Sequence, residues 1–219
     1  MTSKSLRWGL WAGPGHVVAI LVGNGLSTSG DAGKTDAASL LADIQRHHTV
    51  ANDLGLWLEV IGFVLFFCFL GAVYRVLRRA EGADGWLSVS AFGAGLASLA
   101  VKVGSAAPVA AAFYRKDDLD AITARTLTDL NGAAFVIDGL LVALFVLLAA
   151  LSTLETGLLP RWLSWAAIVV GLAGLATPVV GIFDMDSYFP IPFLLCLLWI
   201  AGVGARLAIR EGKTAAAGG

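Results

Sequence analysis

The feature that most constrains this chain is a series of six apolar stretches, at about 8–27, 54–74, 86–113, 130–152, 162–182 and 189–206. A helix of roughly 20 such residues crosses the hydrocarbon core of a bilayer, about 30 Å thick. Inside lipid the backbone must satisfy its own polar groups, which leaves helices or closed barrels, and runs this long read as helices. Six spans within 219 residues leave only short connections. The sequence therefore predicts an all-α integral membrane protein: one six-transmembrane-helix domain over 1–213, followed by a disordered Ala/Gly-rich tail at 214–219. Composition agrees, with 58% hydrophobic and 14% charged residues and a mean hydropathy of +0.80, against about 25% charged in a soluble domain. The net charge of −1 offers no basic field to a nucleic acid. The expected partner is the lipid bilayer, and the expected location is the cell membrane, as a multi-pass protein.

Lys and Arg distribution sets the orientation, because cytoplasmic loops are enriched in both. Of the 15 basic residues, nine fall on one side: Lys4, Arg7, Arg75, Arg78, Arg79, Arg161, Arg206, Arg210 and Lys213. Five fall on the other, namely Lys34, Arg46, Arg115, Lys116 and Arg125, and Lys102 lies inside a span. Both termini are thus expected in the cytoplasm. Indole rings favour the headgroup layer, and Trp8, Trp11, Trp86, Trp162 and Trp165 sit at the cytoplasmic starts of their spans, with only Trp199 in mid-span. Residues 1–30 have some signal-peptide character, but Gly13-Pro14-Gly15-His16 interrupts the apolar run and no clean A-x-A site follows. In the outer loop, Thr35 is placed to cap an amphipathic helix over 36–50, with Leu40, Leu41, Ile44 and His48 on one face, lying on the outer membrane surface or over the bundle.

Several apparent motifs fall away on geometry. Gly33-Lys34-Thr35 resembles the end of a phosphate-binding loop, but position 28 is Thr28 rather than Gly and no strand precedes it. Adjacent His47 and His48 would point about 100° apart on a helix and cannot share a metal. Asp184-x-Asp186 reads as an acidic outer turn. Cys68 and Cys196 lie at depths too different for a disulfide. No metal and no cofactor is expected.

Intramembrane charge is the stronger signal, since one such residue alone costs at least about 2.5–3.5 kcal/mol at the bilayer centre. Glu59, Lys102 and Asp138 are the fixed charges well inside spans. Counted inward at about 1.5 Å per residue, they lie about 9, 16 and 12 Å below the outer ends of their helices, with His16 at about 16 Å. Their neighbours are small or polar: Gly55 and Gly62 around Glu59, Ser98 and Ser105 around Lys102, Asn131 seven residues before Asp138. Asn24 lies above His16 on the first span. The reading is one ligand-binding site of Glu59, Lys102, Asp138, His16, Asn131, Ser98, Ser105 and Asn24.

Two resemblances follow from these residues. Thr35-Asp36-Ala37-Ala38 before a surface helix, a long second span, and Gly157-Leu158-Leu159-Pro160-Arg161-Trp162-Leu163 opening the fifth resemble a bacterial family of multi-pass membrane proteins of unknown function. That resemblance covers most of the chain and implies topology alone. Trp57-Leu58-Glu59 is also similar to the Asn-x-x-Trp-Glu-Phe pattern of small membrane-bound terpene cyclases, but Trp and Glu are one residue out of that spacing, and the chain has six spans rather than seven.

Three functional classes follow. The favoured one is a non-enzymatic site holding a small polar or cationic ligand against Glu59 and Asp138. The second is an intramembrane enzyme in which Glu59 or Asp138 is the catalytic acid toward a lipid-like, for example isoprenoid, substrate, with Phe63, Phe66, Phe135 and Phe145 as its aromatic lining. The third is a non-catalytic accessory subunit, with the charges serving as hydrogen-bonding glue.

Overall fold

A computed structural model describes residues 3–27, 36–46, 50–83, 85–183 and 189–217. Among the described residues the chain forms seven helices and no strand: α1 (Ser3–Ser27), α2 (Ala37–Arg46), α3 (Val50–Glu81), α4 (Trp86–Tyr114), α5 (Ala121–Thr156), α6 (Arg161–Phe183) and α7 (Ile191–Ala217). Five of them, α3 to α7, are long and apolar enough to cross a membrane. The first helix is continuous through Pro14 but less apolar, because it carries Gly13, Gly15, His16 and Asn24.

Six helices close a ring. α1 lies between α3 and α7, α4 follows α3, α5 lies between α4 and α6, and α6 returns to α7. Fully buried Leu10, Phe69, Leu70, Phe145 and Ile200 fill the centre. There Phe145 stands edge-on to Phe66 and Phe69, with centroids 6.0 and 6.4 Å apart. The outward faces are apolar too: Val18, Val64, Phe67, Val169, Leu172 and Leu198 are all exposed. A soluble monomer rarely exposes contiguous apolar surface on this scale, whereas a lipid-facing one must. Trp8, Trp57, Trp86, Trp162 and Trp165 are exposed, and mid-span Trp199 is buried.

Close backbone approach fixes α1 in the ring. A methyl group on Gly23 would stand 2.8 Å from the Gly55 carbonyl oxygen, and one on Gly55 would stand 2.7 Å from that of Gly23. Small residues at such crossings let helices without a hydrophobic driving force gain contact area.

The helix ends separate two poles. At one pole the start of α1 meets the end of α7, where the Arg7 guanidinium lies against Gly212. Arg210 of α7 donates to the Leu158 carbonyl at 2.6 Å, tying in the α5–α6 connection. That connection begins at Gly157, whose φ of 64° is the left-handed conformation that ends α5. At the opposite pole α2 rests on α5 and α4, with Asp43 buried and Gln45 donating to the Lys116 carbonyl at 3.2 Å.

Two details differ from the sequence reading. The cap of α2 is Asp36, not Thr35: its carboxylate accepts from the Ser39 N–H at 3.1 Å and the Ser39 hydroxyl at 3.0 Å, so the helix begins one residue later. Thr35, the proposed phosphate-loop residues, His47, His48, Asp184 and Asp186 lie outside the described residues. The last helix runs to Ala217, past the expected tail boundary at 214, since Ala is the strongest helix former.

Candidate functional site

A small, partly open cavity lies beside the central aromatic cluster. Five helices line it: His16 and Ile20 from α1, Phe63 and Phe66 from α3, Ser98, Leu99 and Lys102 from α4, Asp138 and Val142 from α5, and Phe193, Leu197 and Ile200 from α7. Its volume is about 30 Å³, the scale of one water molecule.

Each polar group is held in a defined way. Asp138 is 4% exposed, and its Oδ1 accepts from the hydroxyl of Ser98, itself 2% exposed, at 2.5 Å. A neutral donor this close satisfies one oxygen of the carboxyl and leaves the other for a further partner. Half-buried Lys102 is four residues on from Ser98, one turn along the same face of α4. Its Nζ stands 5.2 Å from the centroid of Phe135 on α5, within cation–π range. Phe135 in turn meets Phe193 edge to face at 5.1 Å.

His16 is 7% exposed. Its Nδ1–H donates to the Gly62 carbonyl at 2.9 Å, and its ring stacks on Phe66 at 4.6 Å. With the proton on Nδ1, the neutral ring keeps Nε2 as an acceptor. The site thus combines a carboxyl, a hydroxyl, an ammonium and an imidazole acceptor in one apolar enclosure. Such a set can bind a water-sized cation or polar molecule.

Of the residues singled out from sequence, His16, Ser98, Lys102 and Asp138 come together. Glu59 does not line this cavity. It is half-buried at the α1–α3 crossing, where its Oε1 accepts from the Ser27 hydroxyl at 3.0 Å. Asn52 joins that cluster by donating to the Ser27 carbonyl at 3.3 Å. Ser105 is buried and donates to the Lys102 carbonyl at 2.8 Å, a bond within its own helix. Asn24 is exposed and donates to Ile20 O at 3.2 Å, while Asn131 is half-buried outside the cavity lining.

Of the expected aromatic lining, Phe63 and Phe66 face the cavity, Phe135 supports Lys102, and Phe145 belongs to the central cluster. The wall from α7 was missed. Phe193, Leu197 and Ile200 at i, i+4 and i+7 share a helix face, and that spacing was the available signal. The Gly62 carbonyl as an acceptor for His16 is not legible in the sequence, where Gly62 stands only as a small neighbour of Glu59. Cys68 and Cys196 are both free. Among the described residues no three His, Cys, Asp or Glu side chains come together as a metal site.

Compared with family models, curated proteins and solved structures, the chain matches none.

Proposed function

We propose that the chain is a six-span membrane protein with both termini in the cytoplasm, and that its Asp138–Ser98–Lys102–His16 cavity binds a small polar or cationic ligand. The topology rests on α1 as the sixth span. Its 25 residues rise about 37 Å, more than the hydrocarbon core requires. The basic residues Lys4, Arg7, Arg161, Arg206, Arg210 and Lys213 belong to the pole where α1 starts and α7 ends, which favours the cytoplasmic side for it.

The observation that carries the ligand reading is a carboxyl buried to 4% exposure in the wall of a cavity shared with an ammonium group. The cavity size decides between ligand classes. At about 30 Å³ it is an order of magnitude below the roughly 300–1,000 Å³ of pockets that enclose organic molecules. An isoprenoid does not fit it, which favours a water-sized cation over a lipid-like substrate.

Thermal unfolding of the detergent-purified protein in sodium, potassium and ammonium chloride, balanced with choline chloride, tests this. One of the small cations should raise the Tm of the wild type and leave Asp138→Asn unmoved, since a ligand at 100 times its Kd adds about 2.7 kcal/mol. Equal Tm values in all four salts would refute the reading.

A further inference from the structure

A second feature lies far from the cavity, on the outward face of α1. Lys4, Arg7, Trp8 and Trp11 fall at i, i+3, i+4 and i+7, one side of the helix. They line an open groove of about 450 Å³ at the basic pole. All four are exposed, Trp8 to 77% and Trp11 to 42%. The same side continues down the helix as Val18, Leu21, Val22 and Gly25, all exposed as well. Read from the pole inward, it presents two cations, then two indoles, then an apolar stripe.

That sequence of chemistries matches a phospholipid lengthwise: an anionic phosphate, an ester-bearing glycerol layer, and an acyl chain. The Arg7 guanidinium lies against Gly212 of α7. Indole rings at this depth suit the ester region, and a guanidinium pairs a phosphate through two N–H donors. We propose that this face of α1 is a binding site for an anionic phospholipid, with Lys4 and Arg7 on the headgroup phosphate, Trp8 and Trp11 along the glycerol layer, and one acyl chain on Val18, Leu21 and Val22.

Native mass spectrometry of the delipidated full chain, titrated with phosphatidylglycerol or phosphatidylcholine, measures it directly. The wild type should retain phosphatidylglycerol in preference to phosphatidylcholine. Lys4→Gln/Arg7→Gln should bind phosphatidylglycerol roughly 10- to 30-fold more weakly, the scale of two cations beside an anionic headgroup layer, with phosphatidylcholine binding unchanged. Arg115→Gln/Lys116→Gln removes the same charge at the opposite pole and should keep the wild-type preference. If the double variant fails to fold, exposed Lys4 alone, as Lys4→Gln, should still give a several-fold loss. Equal preference in the wild type and the α1 variants overturns the proposal, as does an equal loss in the opposite-pole control. Displacement of the lipid by millimolar inorganic phosphate also overturns it, because the acyl and indole contacts would then contribute nothing.

Discussion

Replacing Gly55 with alanine probes how α1 is held in the ring. The new methyl carbon would stand 2.7 Å from the Gly23 carbonyl oxygen, 2.8 Å from the Ser27 nitrogen and 3.0 Å from the Ser27 Cβ. Favourable heavy-atom contact begins near 3.5 Å, so the overlap is about 0.8 Å against backbone, which has no rotamer to yield. The helices must part, and overpacking of that kind costs about 1–3 kcal/mol. Parting them also stretches the Ser27–Glu59 and Asn52–Ser27 hydrogen bonds at the same crossing. Intramembrane contacts of that type average ~0.6 kcal/mol each. The expected total is therefore about 2–4 kcal/mol. Gly93 is the internal control, because a methyl group there meets nothing within 4 Å. Gly93→Ala should be neutral or stabilising by up to about 1 kcal/mol through helix propensity. Unfolding in mixed micelles with increasing SDS measures both. A Gly55→Ala variant within about 0.5 kcal/mol of wild type would refute the close crossing of α1 and α3.

Two further predictions concern the poles. Asp120 caps α5 outside the membrane-spanning stretch, accepting from the Thr123 hydroxyl at 2.6 Å and from the Thr123 and Ile122 N–H groups at 2.9 and 3.0 Å. These bonds, the Thr123 hydroxyl first, hold its carboxyl below the ordinary carboxylate range. The stabilisation is therefore complete above the unfolded value and disappears as pH falls through the depressed one; amide exchange at Ile122 and Thr123 should stay slow at neutral pH and accelerate only in acid, and acceleration on raising pH beyond the intrinsic exchange trend would contradict the cap. For topology, with exposed Cys68 replaced by alanine, Asp118→Cys should react with a membrane-impermeant maleimide in intact cells and Glu211→Cys only after permeabilisation; the reverse pattern would invert the orientation.

The sequence exposed what depends on one dimension. Hydropathy located the long helices, the exposure of Trp8, Trp86 and Trp162 agrees with interfacial placement, and counting depth put His16, Lys102 and Asp138 in one layer. Depth carries no lateral information, however. Glu59 shares that layer but projects toward α1 because Gly23 and Gly55 draw the two helices together at their ends. Three-dimensional packing also decided that Ser98, one turn from Lys102 on α4, hydrogen-bonds a carboxyl on α5. On α7 the spacing of Phe193, Leu197 and Ile200 marks a shared face, but without a polar residue it does not say that the face lines a cavity.

The central claim is that Asp138 and Lys102 act as one intramembrane unit, and a double-mutant cycle tests it most directly. Lys102→Met alone takes away the cation that shares the cavity wall with the buried Asp138 carboxyl and packs on Phe135. Asp138→Asn alone removes the carboxyl charge from the wall shared with Lys102 and offers the Ser98 hydroxyl an amide oxygen instead. The double variant removes both charges, so it should be destabilised by at least about 1 kcal/mol less than the sum of the two single variants. Additivity within about 0.5 kcal/mol would mean that the two side chains are independent, and it would contradict the account.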